Sequence, residues 1–396
     1  MKMKKTALAS IILGLFLCSL LPAQNPTAKE EYIKAMTASD ANQRASLLKA
    51  WLSKYGGKGE ENENFANATL CISPYEGKTQ ADIIKYGEKA LELDNLDDST
   101  KCQVLINLAS TLSNQGQDLD KAVSYGAQVV QTAQSAKKSA PDSQSANAWN
   151  QMIGAGYYTQ AQAMKKAGNY KGSIEKYVSS YNILKNKQII SEVASLGKTL
   201  YENKDYADAA QAFKVTNDIL NNFASTSFYA KALHRCGKKD EALKYYKQAF
   251  AKQKNGEVAY NIGILLASKA KNDSSVIDEA VEYSLYASLL SKAHTKEAMK
   301  LAEGLYFSNK SSYNDKVKEL SAKAKELEKL TTTFNKKFGE KNEEDLTAKE
   351  KKEVEEMRKD IASLQENINK IQEEQQAELD KFNALIEQVK KKLGIE

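Results

Sequence analysis

Between Leu196 and Phe250 the chain carries nearly the same pattern twice. The stretch LGKTLYENKDYADAAQAFKVTNDIL is followed, across NNFASTSF, by YAKALHRCGKKDEALKYYKQAF. Each copy opens on a large-small pair, Leu196-Gly197 or Tyr229-Ala230, with Leu200 or Leu233 four places after the large residue. A polar turn follows at Lys204-Asp205 or Gly237-Lys238. Then comes a small residue, Ala209 or Ala242, and an aromatic four later, Phe213 or Tyr246. Spacings of three and four predict two helices per copy. From Ala209 to Ala242 is 33 residues. A helix pair of that size cannot bury its apolar face alone, so copies must stack and share one core. The expectation is an all-α chain.

Further copies flank these two. Residues 147–184 place Gly168-Asn169-Tyr170 at the turn, Ser173 at the small site and Tyr177 four later. Residues 258–290 supply Ile262-Gly263, Leu266, Ala280 and Ser284, with the turn lengthened by AKNDSSVID. The small sites Ser173, Ala209, Ala242 and Ala280 fall at intervals of 36, 33 and 38, which puts the length variation in the turns. This pattern resembles the tetratricopeptide repeat. The resemblance implies a solenoid of helical hairpins whose concave face, lined by the first helix of each repeat, holds a peptide or protein segment. On it, Leu196, Gly197, Ala209, Phe213, Ala230, Ala242, Tyr246, Gly263 and Ala280 are packing positions.

Upstream the pattern loosens. Helical spacing recurs over 27–55, 65–93 and 100–134, with Asp40 opening a helix and glycines at 56, 57 and 59 ending one. The polar stretch SAKKSAPDSQSA at 135–146 reads as an internal boundary, separating degenerate repeats over 24–134 from sharper ones over 147–312. Gly154-Ala155-Gly156 and Gly56-Gly57 read as helix junctions; no strand precedes them to make a phosphate cradle.

The last segment, 313–396, changes character. Val317, Leu320, Ala324, Leu327, Thr331, Phe334 and Phe338 alternate by three and four, as in a coiled coil. Gly339-Glu340-Lys341-Asn342 interrupts, and Thr347 with Glu350 forms a capping-box signature. A second seam then runs through Met357, Ile361, Leu364, Ile368 and Ile371. The short link predicts an antiparallel hairpin of unequal arms, ~39 Å against ~68 Å at 1.5 Å per residue. Beyond the shorter arm an apolar stripe resumes at Phe382, Leu385, Ile386, Val389 and Leu393. Three ways of covering it stay open: the repeats, a second copy giving a homodimer, or another protein.

The amino terminus has a basic start, an apolar run from Ala7 to Leu21 and then Pro22-Ala23-Gln24. This is the pattern of a secretory signal peptide over 1–23, cleaved after Ala23. It implies an exported, periplasmic protein with no membrane span after cleavage. Leu17 before Cys18 argues against a lipoprotein, which needs a small residue there. Cys71, Cys102 and Cys236 remain; the first two could pair, or all three are buried thiols. The net charge of +6 falls to three without Lys2, Lys4 and Lys5. Residues 313–396 carry 18 basic and 20 acidic side chains, interspersed. Neither balance indicates nucleic acid.

No motif for catalysis, phosphate binding, metal or cofactor is present. His234 and His294 lie in separate repeats and read as polar helix-end residues. Aligned on the large-small pairs, Asn261, Lys296 and Lys300 match positions that, in the resembled family, grip a carboxylate. Ser227 and Lys231 depart from that pattern in the preceding repeat. The expected function is a non-enzymatic protein-protein interaction scaffold of a bacterial cell envelope. The alternatives are an assembly protein joined through its carboxy-terminal helix, or a glycan-binding module using groove tyrosines.

Overall fold

A computed structural model describes residues 27–395, so the expected signal peptide lies outside the described residues. Two compact units divide between Lys185 and Asn186. The first contains α1 (Ala28–Thr37), α2 (Ala41–Tyr55), α3 (Glu63–Ile72), α4 (Gln80–Leu91), α5 (Asp98–Gln115), α6 (Leu119–Lys138), α7 (Ser143–Lys166) and α8 (Tyr170–Leu184). The second contains α9 (Lys187–Glu202), α10 (Tyr206–Leu220), α11 (Phe223–Arg235), α12 (Lys239–Lys252), α13 (Gly256–Ala270), α14 (Ile277–Leu290), α15 (Thr295–Ser308), α16 (Ser311–Phe338) and α17 (Ala348–Leu393). The fold is all-α, and no described helix is long and apolar enough to cross a membrane.

The boundary expected over 135–146 is corrected. Only Ser139–Asp142 is non-helical there, because Asp142 caps α7 through the Ser145 amide (2.7 Å). The two flanking helices pack so closely that a Cβ on Gly126 would lie 2.9 Å from the Gly156 carbonyl, and the reverse holds for Gly156. Gly154 and Gly156 are therefore not junction residues. They sit inside α7, where missing side chains admit Leu184 and the α6 backbone.

In the first unit Leu48, Leu70, Cys71, Leu105 and Leu108 are fully buried. Trp51 ties the opening hairpin by donating its indole N–H to the Ala28 carbonyl at 2.7 Å. Cys71 and Cys102 are both buried and free. Burial pushes both thiols up to about 11, which keeps them protonated and unreactive.

In the second unit the repeat residues are interior. Leu196, Ala209, Phe213, Ala230, Ala242, Tyr246 and Ala280 are at most 1% exposed. A Cβ on Gly197 would meet the Phe213 ring at 2.9 Å, and one on Gly263 would meet Ser284 Oγ at 2.7 Å. Two hairpin turns of this unit, and the α7–α8 turn of the first unit, share one bond pattern, in which the amides of Asp205, Lys238 and Asn169 donate to the carbonyls of Leu200, Leu233 and Met164. This wrap needs a left-handed residue just past the first helix. Gly168 and Gly237 provide it, but Lys204 adopts φ 69° without being glycine.

α16 and α17 form the antiparallel hairpin. Lys316–Glu374, Lys337–Glu353 and Lys341–Glu350 ion pairs fix its register. Leu364, Ile368 and Ile371 are buried in the seam, and Leu320, Leu327, Phe334 and Ile361 are half-buried. Val317 is corrected: it is 44% exposed, and Ala324 and Thr331 are exposed with it. The seam instead runs through Tyr313, Lys316, Leu320, Lys323, Leu327, Leu330 and Phe334. Both stripes have three-four spacing and share Leu320, Leu327 and Phe334. The one chosen covers Tyr313 and Leu330, larger than the Val317, Ala324 and Thr331 it leaves out, while lysine stems lie along the seam with their heads outward.

Gly156→Ala should destabilise the protein by about 1–2 kcal/mol in urea unfolding, because overpacking outweighs the alanine helix preference of about 1 kcal/mol. Lys204→Gly should do the opposite, raising stability by up to about 1 kcal/mol through relief of the left-handed backbone.

Candidate protein-binding cleft

Repetition decides which side chains share a face. Counting from the large residue of each pair, Lys198 and Lys231 are both two places on, and Tyr201 and His234 both five places on. Stacked hairpins set these equivalent positions side by side on α9 and α11. On α13, Glu257 and Asn261, four apart, face the same way. A cleft of about 380 Å³ results, lined by Tyr201, Tyr206, Lys231, His234, Arg235, Glu257 and Asn261.

Its polar groups are braced. Arg235 donates from Nη2 to the Tyr206 hydroxyl at 3.1 Å, and its guanidinium lies 5.2 Å from the Tyr206 ring centre. The Tyr206 ring in turn meets Tyr201 edge-on at 5.2 Å. Lys231 pairs with Glu257 at 2.8 Å, joining α11 to α13. Its ammonium also lies 5.7 Å from the Phe228 ring, which Lys198 approaches at 4.9 Å. Phe228 stacks on the buried Phe213 at 5.3 Å, so the platform between these lysines is anchored in the core. Asn261 donates from Nδ2 to the Glu257 carbonyl at 2.9 Å.

Burial shapes the titration here. It lifts the Tyr201 hydroxyl above the ordinary tyrosine range. Burial first, then the charges of Lys239 and Arg235, depresses His234 below the ordinary histidine value. The His234 ring packs edge-on to Tyr246 at 6.0 Å, inside the cleft rather than as a solvated helix end. His294, which precedes α15, stacks flat on Tyr260 at 4.2 Å.

Of the three residues singled out for carboxylate binding, the structure brings only Asn261 into the cleft. Lys296 and Lys300 are exposed on α15 and line no part of it. Sequence reasoning missed Tyr201, Arg235 and Glu257 as cleft residues. The signal available was the equivalence of positions across repeats, since no local motif marks them. Among the described residues no cluster of His, Cys, Asp or Glu is arranged to hold a metal ion.

Fold and cleft together define the class: an all-α array of helical hairpins of the tetratricopeptide type. No family model matches the chain, and no curated protein matches it. Solved structures similar to it include the apo form of RapI, at 12% identity and TM-score 0.35, covering 70% of this chain and 94% of that one. A tetratricopeptide repeat protein from Parabacteroides merdae has 14% identity and TM-score 0.33, covering 70% and 98%. The TPR2AB domain of yeast Sti1, solved as a pHSP90 complex, has 16% identity and TM-score 0.26, covering 62% and 99%. The fold stands here on the packing of the hairpins themselves.

Because neutral His234 is favoured in the folded protein, its stabilising effect is complete above the ordinary value of 6.5 and is lost as pH falls below it. NMR titration should place the His234 midpoint below 6.5, and Arg235→Ala should move it upward.

Proposed function

We propose that this protein is a non-enzymatic scaffold, exported to a bacterial cell envelope, that holds a segment of another protein in the cleft of α9, α10, α11 and α13. The observation that carries the reading is the bracing of the cleft. Arg235, Tyr206 and Tyr201 hold one another in place, and Lys231 holds Glu257, before any ligand arrives. Preorganised aromatic and arginine side chains lose little freedom on binding, and such residues dominate protein recognition. The export half of the reading is supported by the basic start and the apolar run from Ala7 to Leu21.

The test is capture from envelope extracts by residues 24–396, beside the Tyr206→Ala/Arg235→Ala double variant with its helix content checked by circular dichroism. Retention of the bound protein should drop by about tenfold or more in the variant, the usual consequence of removing a central arginine-aromatic pair. An unchanged set of bound proteins would place recognition elsewhere. Amino-terminal sequencing of the native protein should begin at Gln24; an intact chain in the cytosol contradicts export.

A further inference from the structure

The hairpin register leaves the end of α17 without a partner on α16. Moving from Lys341 back to Lys316 is 25 residues, against 24 from Glu350 forward to Glu374. Continued at that rate, α16 runs out near Glu378. The remaining turns of α17 lie on the repeats of the second unit. Phe382 is 4% exposed, with its ring 5.1 Å from Tyr306 and 5.6 Å from Phe307 on α15. Val389 is fully buried. Lys392 reaches Glu282 on α14 at 2.6 Å, and the same Glu282 oxygen accepts the Tyr286 hydroxyl at 2.7 Å. This end of α17 is an arm, and the face of α14 and α15 is a socket shaped for it.

Arm and socket belong to one chain only because α15 and α16 are bent apart. The bend is confined to Asn309 and Lys310, and Lys310 has the non-helical angles φ −105° and ψ 83°. One side-chain hydrogen bond, Asn314 Nδ2 to the Phe307 carbonyl at 2.9 Å, spans it, beside a Phe307–Tyr313 ring contact at 4.6 Å. From Leu305 to Asp315 there is no glycine or proline, so the sequence permits helix throughout. Adoption of helical angles at Lys310 would fuse α15 and α16 into 44 residues, Thr295 to Phe338. The arm, still clipped to α16 by its ion pairs, would then be carried off its own socket. The empty socket and the displaced arm of a second copy match already, in ring contacts and in charge.

We propose that the α14–α15 face is a homotypic docking site, through which two copies of this chain exchange their carboxy-terminal arms. The occupant is residues 379–393 of the second copy, making the contacts now made within one chain.

The test mixes two full-length variants carrying different tags, Glu282→Lys and Lys392→Glu. Within either chain alone the substituted residue faces a like charge. In an exchanged pair both sockets regain opposite charges. Glu282 and Lys392 side chains are 30% and 58% exposed, so folding should survive either substitution. Native mass spectrometry after co-incubation should show mixed dimers on the order of tenfold above the homodimers of either variant. Asn314→Ala in the otherwise unchanged chain, which removes the bond across the bend, should raise the homodimer fraction severalfold. Mixed dimers no more abundant than homodimers, or an Asn314→Ala chain with the dimer fraction of the parent, would overturn the proposal.

Discussion

Backbone must be allowed to approach backbone at a few points, and the array depends on it. Gly126 and Gly156 do this between α6 and α7, Gly197 takes the Phe213 ring, and Gly263 takes Ser284. A methyl group at any of these points meets an atom at 2.9 Å or less. Helices that pack this tightly have few ways to lie on one another, which in the second unit fixes the angle and offset of α9 on α10 and of α13 on α14. That fixed offset turns sequence repetition into spatial alignment, and the cleft exists because Tyr201, His234 and Glu257 are delivered to one place by it.

The chemistry of the cleft follows from how its charges are already employed. Lys231 has Glu257 and Arg235 has Tyr206, so on the proposed function a bound segment would enter by exchanging partners rather than by filling vacant charge. Exchange of that kind would reward correct geometry at Lys231, whose side chain is only 25% exposed, more than at the exposed Arg235.

The hairpins and their ends were legible in the sequence because local chemistry writes them. Asp40, Thr79 and Thr347 cap helices with their own side chains, and large-small pairs recur where helices cross. Less legible was anything that depends on choosing between two stripes of equal spacing. α16 offers both the Val317 stripe and the Tyr313–Leu330 stripe, and only the size of the covered residues against α17 decides. The supposed boundary at 135–146 misled for a related reason. Its polar residues lie on the end turns of two long helices and the four-residue link between them, while the residues packing α6 on α7 are glycines that carry no hydropathy signal. The cleft was hardest to see, being assembled from one to three residues on each of four helices.

The socket around Phe382 has a mechanical meaning. α16 is 28 residues long and so reaches about 42 Å from the bend to the far loop. It meets α15 at the Asn309–Lys310 corner, through the Asn314 bond to Phe307 and the Tyr313–Phe307 ring contact at 4.6 Å, so the rings of Tyr306, Phe307, Tyr313 and Phe382 surround the pivot of a lever. A tilt of about ten degrees at that pivot would sweep the far end of the hairpin through about 7 Å. Geometry alone thus makes the far loop the part of the hairpin most sensitive to how these rings pack.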